Sequence, residues 1–143
     1  VGQLLVPLDG SIAQRERALA EAIRLHRHEA AGICLLSVQP PVNGHVAGYF
    51  SPSELERLQR DAGREELAPA ETLLEAAGVP FRSLVRTGRR AETIARTAQE
   101  LACDRILLDA AQGDTGRRWL GSVAQQVRHI LQSQHLGRFV TVV

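Results

Sequence analysis

The chain has 143 residues, 44% of them hydrophobic, with 17 basic against 16 acidic side chains and a net charge of +1. That is enough apolar material for one domain, residues 1–143, with a core of its own, and a balance so near neutral argues against nucleic acid or an acidic membrane surface as partner. Every basic residue is arginine, which excludes a Walker phosphate loop, a protein kinase and a Schiff-base enzyme, since each depends on a lysine.

Leu4-Leu5-Val6-Pro7-Leu8 is a continuous apolar run of the kind found in a strand buried on both faces. Asp9-Gly10-Ser11 ends it, and Ser11 with Gln14 forms a capping box for a helix whose apolar face is Ala18, Leu19, Ala22 and Ile23. Asp9 is therefore expected at the carboxyl end of a central strand, either as a turn residue or as a polar group lining a pocket. Ile33-Cys34-Leu35-Leu36-Ser37-Val38 reads as the second strand, and Pro40, Pro41, Gly44 and Gly48 punctuate the loop that follows. His45 in that loop is read as solvated.

Ser51-Pro52-Ser53-Glu54 is a helix start, with an N-cap serine, proline at the first helical position and a glutamate three residues on. Gly63 and Pro69 predict a weak or bent middle for this helix, and Gly78 ends it. A third strand is expected over Val79-Pro80-Phe81-Arg82-Ser83-Leu84-Val85, at a sheet edge because its alternation is partial and proline opens it. Arg89 and Arg90 precede the next helix and are expected in solvent. That helix packs through Ile94, Ala95, Ala98, Leu101 and Ala102, and Arg105-Ile106-Leu107-Leu108 forms the fourth strand.

Next comes Asp109-Ala110-Ala111-Gln112-Gly113-Asp114-Thr115-Gly116-Arg117-Arg118-Trp119-Leu120-Gly121-Ser122. Ser122 with Gln125 forms a capping box for a helix carrying Val123, Val127, Ile130 and Leu131 on one face. Strand, glycine-rich loop and helix start together suit an anion, which meets free N–H groups and the positive end of the helix dipole. Gly137-Arg138-Phe139-Val140-Thr141-Val142-Val143 reads as the fifth strand.

Strands alternating with helices imply an α/β domain with a parallel sheet and right-handed crossovers. Ligands of such sheets bind beyond the carboxyl ends of strands, where the strand order reverses. Asp114-Thr115-Gly116 spells the aspartic-protease triplet, but that chemistry belongs to all-β frames. The five histidines show no metal-binding spacing, and no catalytic triad is apparent. Cys34 and Cys103 are expected as buried free thiols of a reducing compartment. No apolar run approaches membrane-span length and the first residues do not read as a signal peptide, so a cytoplasmic protein without membrane insertion is expected.

Over nearly its whole length the sequence resembles the universal stress protein family. The resemblance rests on Leu5-Val6-Pro7-Leu8-Asp9-Gly10-Ser11, Val85-Arg86-Thr87-Gly88, Ala102-Cys103-Asp104-Arg105-Ile106-Leu107-Leu108 and Phe139-Val140-Thr141-Val142-Val143. It implies a doubly wound, adenine-nucleotide-hydrolase-like Rossmann-type fold with five parallel strands in the order 3-2-1-4-5. It also implies a homodimer through the C-terminal strand, Phe139 to Val143, and a role in stress response. Many members bind ATP, with a divalent cation such as Mg reaching the protein only through the nucleotide; others bind none.

The ATP-binding members carry G-x2-G-x9-G-(S/T) after the fourth strand. The matching register here is Ala110-x2-Gly113-x7-Gly121-Ser122, with alanine for the first glycine and a loop two residues shorter. Pairing Gly113 with Gly116 restores both glycines but leaves only four residues before Gly121. The first register keeps the strand-to-loop alignment and is preferred. By resemblance, Asp9 and Val38 line an adenosine pocket, Ala110 occupies the first glycine's slot, and Gly113, Gly121, Ser122 and Val123 hold phosphates. No residue stands out as a general base, so a regulatory nucleotide-binding module without turnover is expected. A dimeric interaction domain that binds no nucleotide is the alternative.

Overall fold

The structure is a computed structural model that describes residues 2–8, 12–42, 48–108, 123–132 and 140–142. Strand β1 spans Gln3–Pro7 and helix α1 spans Ile12–Glu29; β2 covers Gly32–Gln39 and α2 covers Pro52–Ala76. Then follow β3 at Arg82–Thr87, α3 at Arg90–Glu100, β4 at Arg105–Leu108, α4 at Val123–Gln132 and β5 at Val140–Val142. The strands are parallel. β1 lies between β2 and β4, β3 lies outside β2, and the three residues of β5 pair with the far side of β4.

Because successive strand side chains point to opposite faces, the apolar runs divide into two cores. Leu4, Val6, Leu8, Ile33, Leu35 and Leu107 face α1 and α2, meeting Leu19, Leu25, Leu67 and Leu74. Leu5, Cys34, Leu36, Val38, Ile106 and Leu108 face α3 and α4, meeting Ile94, Ala98, Val127 and Leu131. A sheet covered on both faces is why β1 and β2 read as unbroken apolar runs rather than alternating ones.

Helix α2 starts as its sequence dictates: Ser51 is the N-cap, and its hydroxyl accepts a bond of 3.2 Å from the Glu54 backbone N–H. Neither Gly63 nor Pro69 breaks α2, which is continuous through both. Pro69 and Glu65, the partner its missing N–H forfeits, are both exposed, so the loss falls where water satisfies the carbonyl. Gly63 is buried because α2 lies hard against the sheet there: a Cβ would stand 2.6 Å from Val85 Cγ2.

Strand β3 begins at Arg82 rather than Val79. Gly78 is left-handed (φ 70) and the Val79 N–H returns 3.0 Å to the Leu74 carbonyl, so Val79 completes the end of α2 and is buried there. As expected, β3 is an edge strand. The capping boxes at Ser11 and Ser122, and His45, lie outside the described residues.

Candidate functional site

The chain moves outward from β1 through β2 to β3, then returns to the other side of β1 for β4. The order therefore reverses between β1 and β4, and α1 and α2 cover one face while α3 and α4 cover the other. The crevice of a doubly wound sheet lies beyond the carboxyl ends of the two strands at such a point.

Leu8 stands at that end of β1 and is held from two sides. Its N–H donates to the Leu36 carbonyl at 2.9 Å, and its carbonyl accepts from Arg90 Nη2 at 3.2 Å. Arg90 is the first residue of α3 and is half-buried, which corrects the expectation of solvent exposure. Arg89 does lie in solvent, with an ion pair to Glu92 at 3.6 Å. The two arginines look alike in sequence, and the packing of α3 against the sheet separates them. No local signal marks Arg90, because its partner is 82 residues away.

The end of β2 is likewise tied down. The Gln39 carbonyl accepts from the Gly88 N–H at 3.0 Å, which draws the β3–α3 turn against it. Gly88 has φ +153, and a Cβ there would lie 2.6 Å from Thr93 Oγ1, so a side chain is excluded on both counts. Buried Ser37 donates to Glu66 at 3.0 Å and accepts from Gln39 Nε2 at 2.9 Å. Its hydroxyl is thus satisfied on both sides.

Of the sequence-predicted site residues, Val38 and Val123 fall within the described structure. Both are buried, and both belong to the apolar cluster on the α3–α4 face. Val38 is near the carboxyl end of β2 and Val123 opens α4. The chain between Leu108 and Val123 carries Ala110, Gly113, Gly121 and Ser122, which lie outside the described residues, as does Asp9.

Cys34 lies in the same apolar cluster as Val38 and Val123, and Cys103 packs against it. Both are free; Cys34 is buried, but Cys103 is only half-buried, short of the expected burial. Burial pushes both thiols up, Cys103 to about 11, and so keeps them protonated and unreactive. Among the described residues no three metal-binding side chains cluster, and no helix is long and apolar enough to cross a membrane.

A parallel doubly wound sheet with two helices on each face and a strand order that reverses between β1 and β4 defines the class, an α/β domain of Rossmann type. The chain belongs to the universal stress protein family, whose family model matches residues 2–132. Solved structures share the fold. A universal stress protein family member from Burkholderia pseudomallei superposes with a TM-score of 0.68 at 21% identity, covering 99% of this chain and 95% of that one. The universal stress protein from Archaeoglobus fulgidus in complex with dAMP gives 0.66 at 17%, covering 99% and 97%. A family protein from Arabidopsis thaliana with AMP bound gives 0.63 at 18%, covering 100% and 91%.

Proposed function

We propose that this chain is a regulatory module that binds an adenine nucleotide weakly across the carboxyl ends of β1 and β4 and does not turn it over. The observation that carries this reading is the sheet order, which reverses between β1 and β4 and leaves Val38 and Val123 on one face at that end. Buried apolar side chains suit the flat, apolar face of a purine. In this reading Asp9 and Val38 line the adenosine, while Gly113, Gly121, Ser122 and Val123 meet the phosphates at the start of α4. ATP carries its own Mg, and the protein works as a cytoplasmic homodimer through β5. The complexes of the A. fulgidus and A. thaliana proteins with dAMP and AMP support the choice of an adenine nucleotide.

A second reading, a dimeric interaction domain without nucleotide, is favoured by one residue. Ala110 stands where the ATP-binding pattern has its first glycine. If that slot requires positive φ, alanine costs on the order of 1–2 kcal/mol, and its Cβ stands where the nucleotide approaches. Ala110→Gly should then tighten ATP binding by about five- to thirtyfold, nearer the lower figure because glycine also frees the unbound loop. Isothermal titration of both proteins checks this, alongside mass spectrometry of ligand released from gently purified protein. Unchanged or weaker affinity in Ala110→Gly would reject the register, and no nucleotide with either protein would favour the interaction domain.

A further inference from the structure

A groove runs along the outer side of α2 beside the edge strand β3, away from the proposed nucleotide crevice. Leu67 and Val85 give it apolar lining, Arg60 and Arg64 stand on its helix side, and its cavity volume is about 470 Å³. A second, smaller hollow shares Arg60 and Val85 and extends it to Thr87, the last residue of β3. The groove is therefore about as long as the strand.

Among the described residues β3 pairs with β2 alone, so alternate backbone N–H and C=O groups along Arg82–Thr87 point away from the sheet. Such an edge is a template for another strand, and main-chain bonds then supply affinity while flanking side chains supply specificity. The close seat of Gly63 on Val85 keeps this face of α2 beside the edge.

The charges along the groove are unevenly satisfied. Glu71 accepts from Ser83 Oγ at 2.8 Å, and Arg86 is paired with Glu100. Arg60 and Arg64 are exposed and have no ion-pair partner among the described residues. They lie four apart on one helix face, where like charges repel. Glu56 lines the end beyond Arg60 and Glu71 the end beyond Arg64, so the stretch between them carries the two arginines.

We propose that this edge receives an extended acidic segment of a partner protein, which adds a strand to β3 and sets its carboxylates against Arg60 and Arg64. Side chains of an added strand alternate between faces, so the residues between those carboxylates would turn to the opposite face, beside Leu84. A second copy of this chain is a poorer occupant, because β3-to-β3 pairing gathers Arg82 and Arg86 of both copies into one short ribbon. A nucleic-acid strand would meet the arginines but offers no amide backbone to an open sheet edge.

The probe is a fluorescein-labelled peptide, capped Val-Glu-Val-Glu-Val-Glu, followed by anisotropy at low salt. It should bind about tenfold or more tightly than the same peptide with lysine for glutamate. Methylating alternate backbone nitrogens of the peptide should abolish binding, and the outward amides of residues 82–87 should exchange more slowly in the complex. Arg60→Glu together with Arg64→Glu should weaken binding about tenfold or more with a native circular dichroism spectrum, since both positions are solvent-facing. Failure of the acidic peptide to bind, equal binding by its methylated form or by an oligothymidylate of equal charge, or unchanged amide exchange overturns the proposal.

Discussion

Cys103 shows what half-burial does to one titratable side chain. Desolvation is the largest cause of its rise from 9.0 to about 11, reinforced by Cys34 and opposed by Arg82. An unfolded thiol releases its proton near the lower value and the folded one only near the higher, so rising pH favours the unfolded chain. The contribution of the protonated thiol to stability is whole below pH 9.0 and is lost as pH rises towards about 11. Urea denaturation across that window should therefore fall less steeply for Cys103→Ala than for the native chain. Equal slopes would mean that Cys103 meets water freely. At neutral pH the same burial should leave both thiols slow towards iodoacetamide until the protein is unfolded.

At the scale of elements, the helix ends carry strain that the strand cores do not. α2 closes on Gly78 at φ 70, with the Gly78 N–H returning to Glu75 and the Val79 N–H to Leu74. α3 closes with the same pair of bonds, Ala102 to Gln99 and Cys103 to Ala98, but puts alanine in the left-handed position at φ 52. Alanine there costs on the order of 1–2 kcal/mol, and glycine returns part of that as entropy lost on folding. Ala102→Gly should stabilise the protein by about 0.5–1 kcal/mol, read as a higher urea midpoint with an unchanged slope. A destabilised variant would mean that the alanine methyl packs usefully despite being exposed. At the other end of α3 its first residue, Arg90, reaches the Leu8 carbonyl at the carboxyl end of β1.

For the whole molecule the two sheet edges are not equivalent. β3 is bordered by α2 and flanked by arginines, whereas β5 is a three-residue strand, Val-Thr-Val, that pairs only with β4 among the described residues. An apolar edge of that kind is one that proteins cover or pair, and a two-fold pairing of β5 would close it in a symmetric dimer. Light scattering should give a dimer for the native chain. Val142→Arg should shift it towards monomer without changing the circular dichroism spectrum. A native monomer at high concentration would rule out this assembly and leave the proposed nucleotide site untouched.

What the sequence determined by itself is whatever depends on neighbours a few residues apart. The unbroken apolar runs of β1 and β2 announced a sheet covered on both faces, and Ser51 with Glu54 announced the start of α2, because both signals act within a strand or a helical turn. The partial alternation of residues Val79 to Val85, with Pro80 near its start, likewise marked an edge strand. Only the tertiary structure decided that α2 continues through Gly63 and Pro69, since its packing on β3 and the solvent position of Pro69 outweigh two poor helix residues. It also decided that Arg90 turns inward while Arg89 does not. Val38 and Val123 lie 85 positions apart, and they share a face only because the sheet order reverses beside β1. Local propensity can specify each element, but a site at a topological reversal is assembled by contacts between distant segments, and those form only when the layers pack.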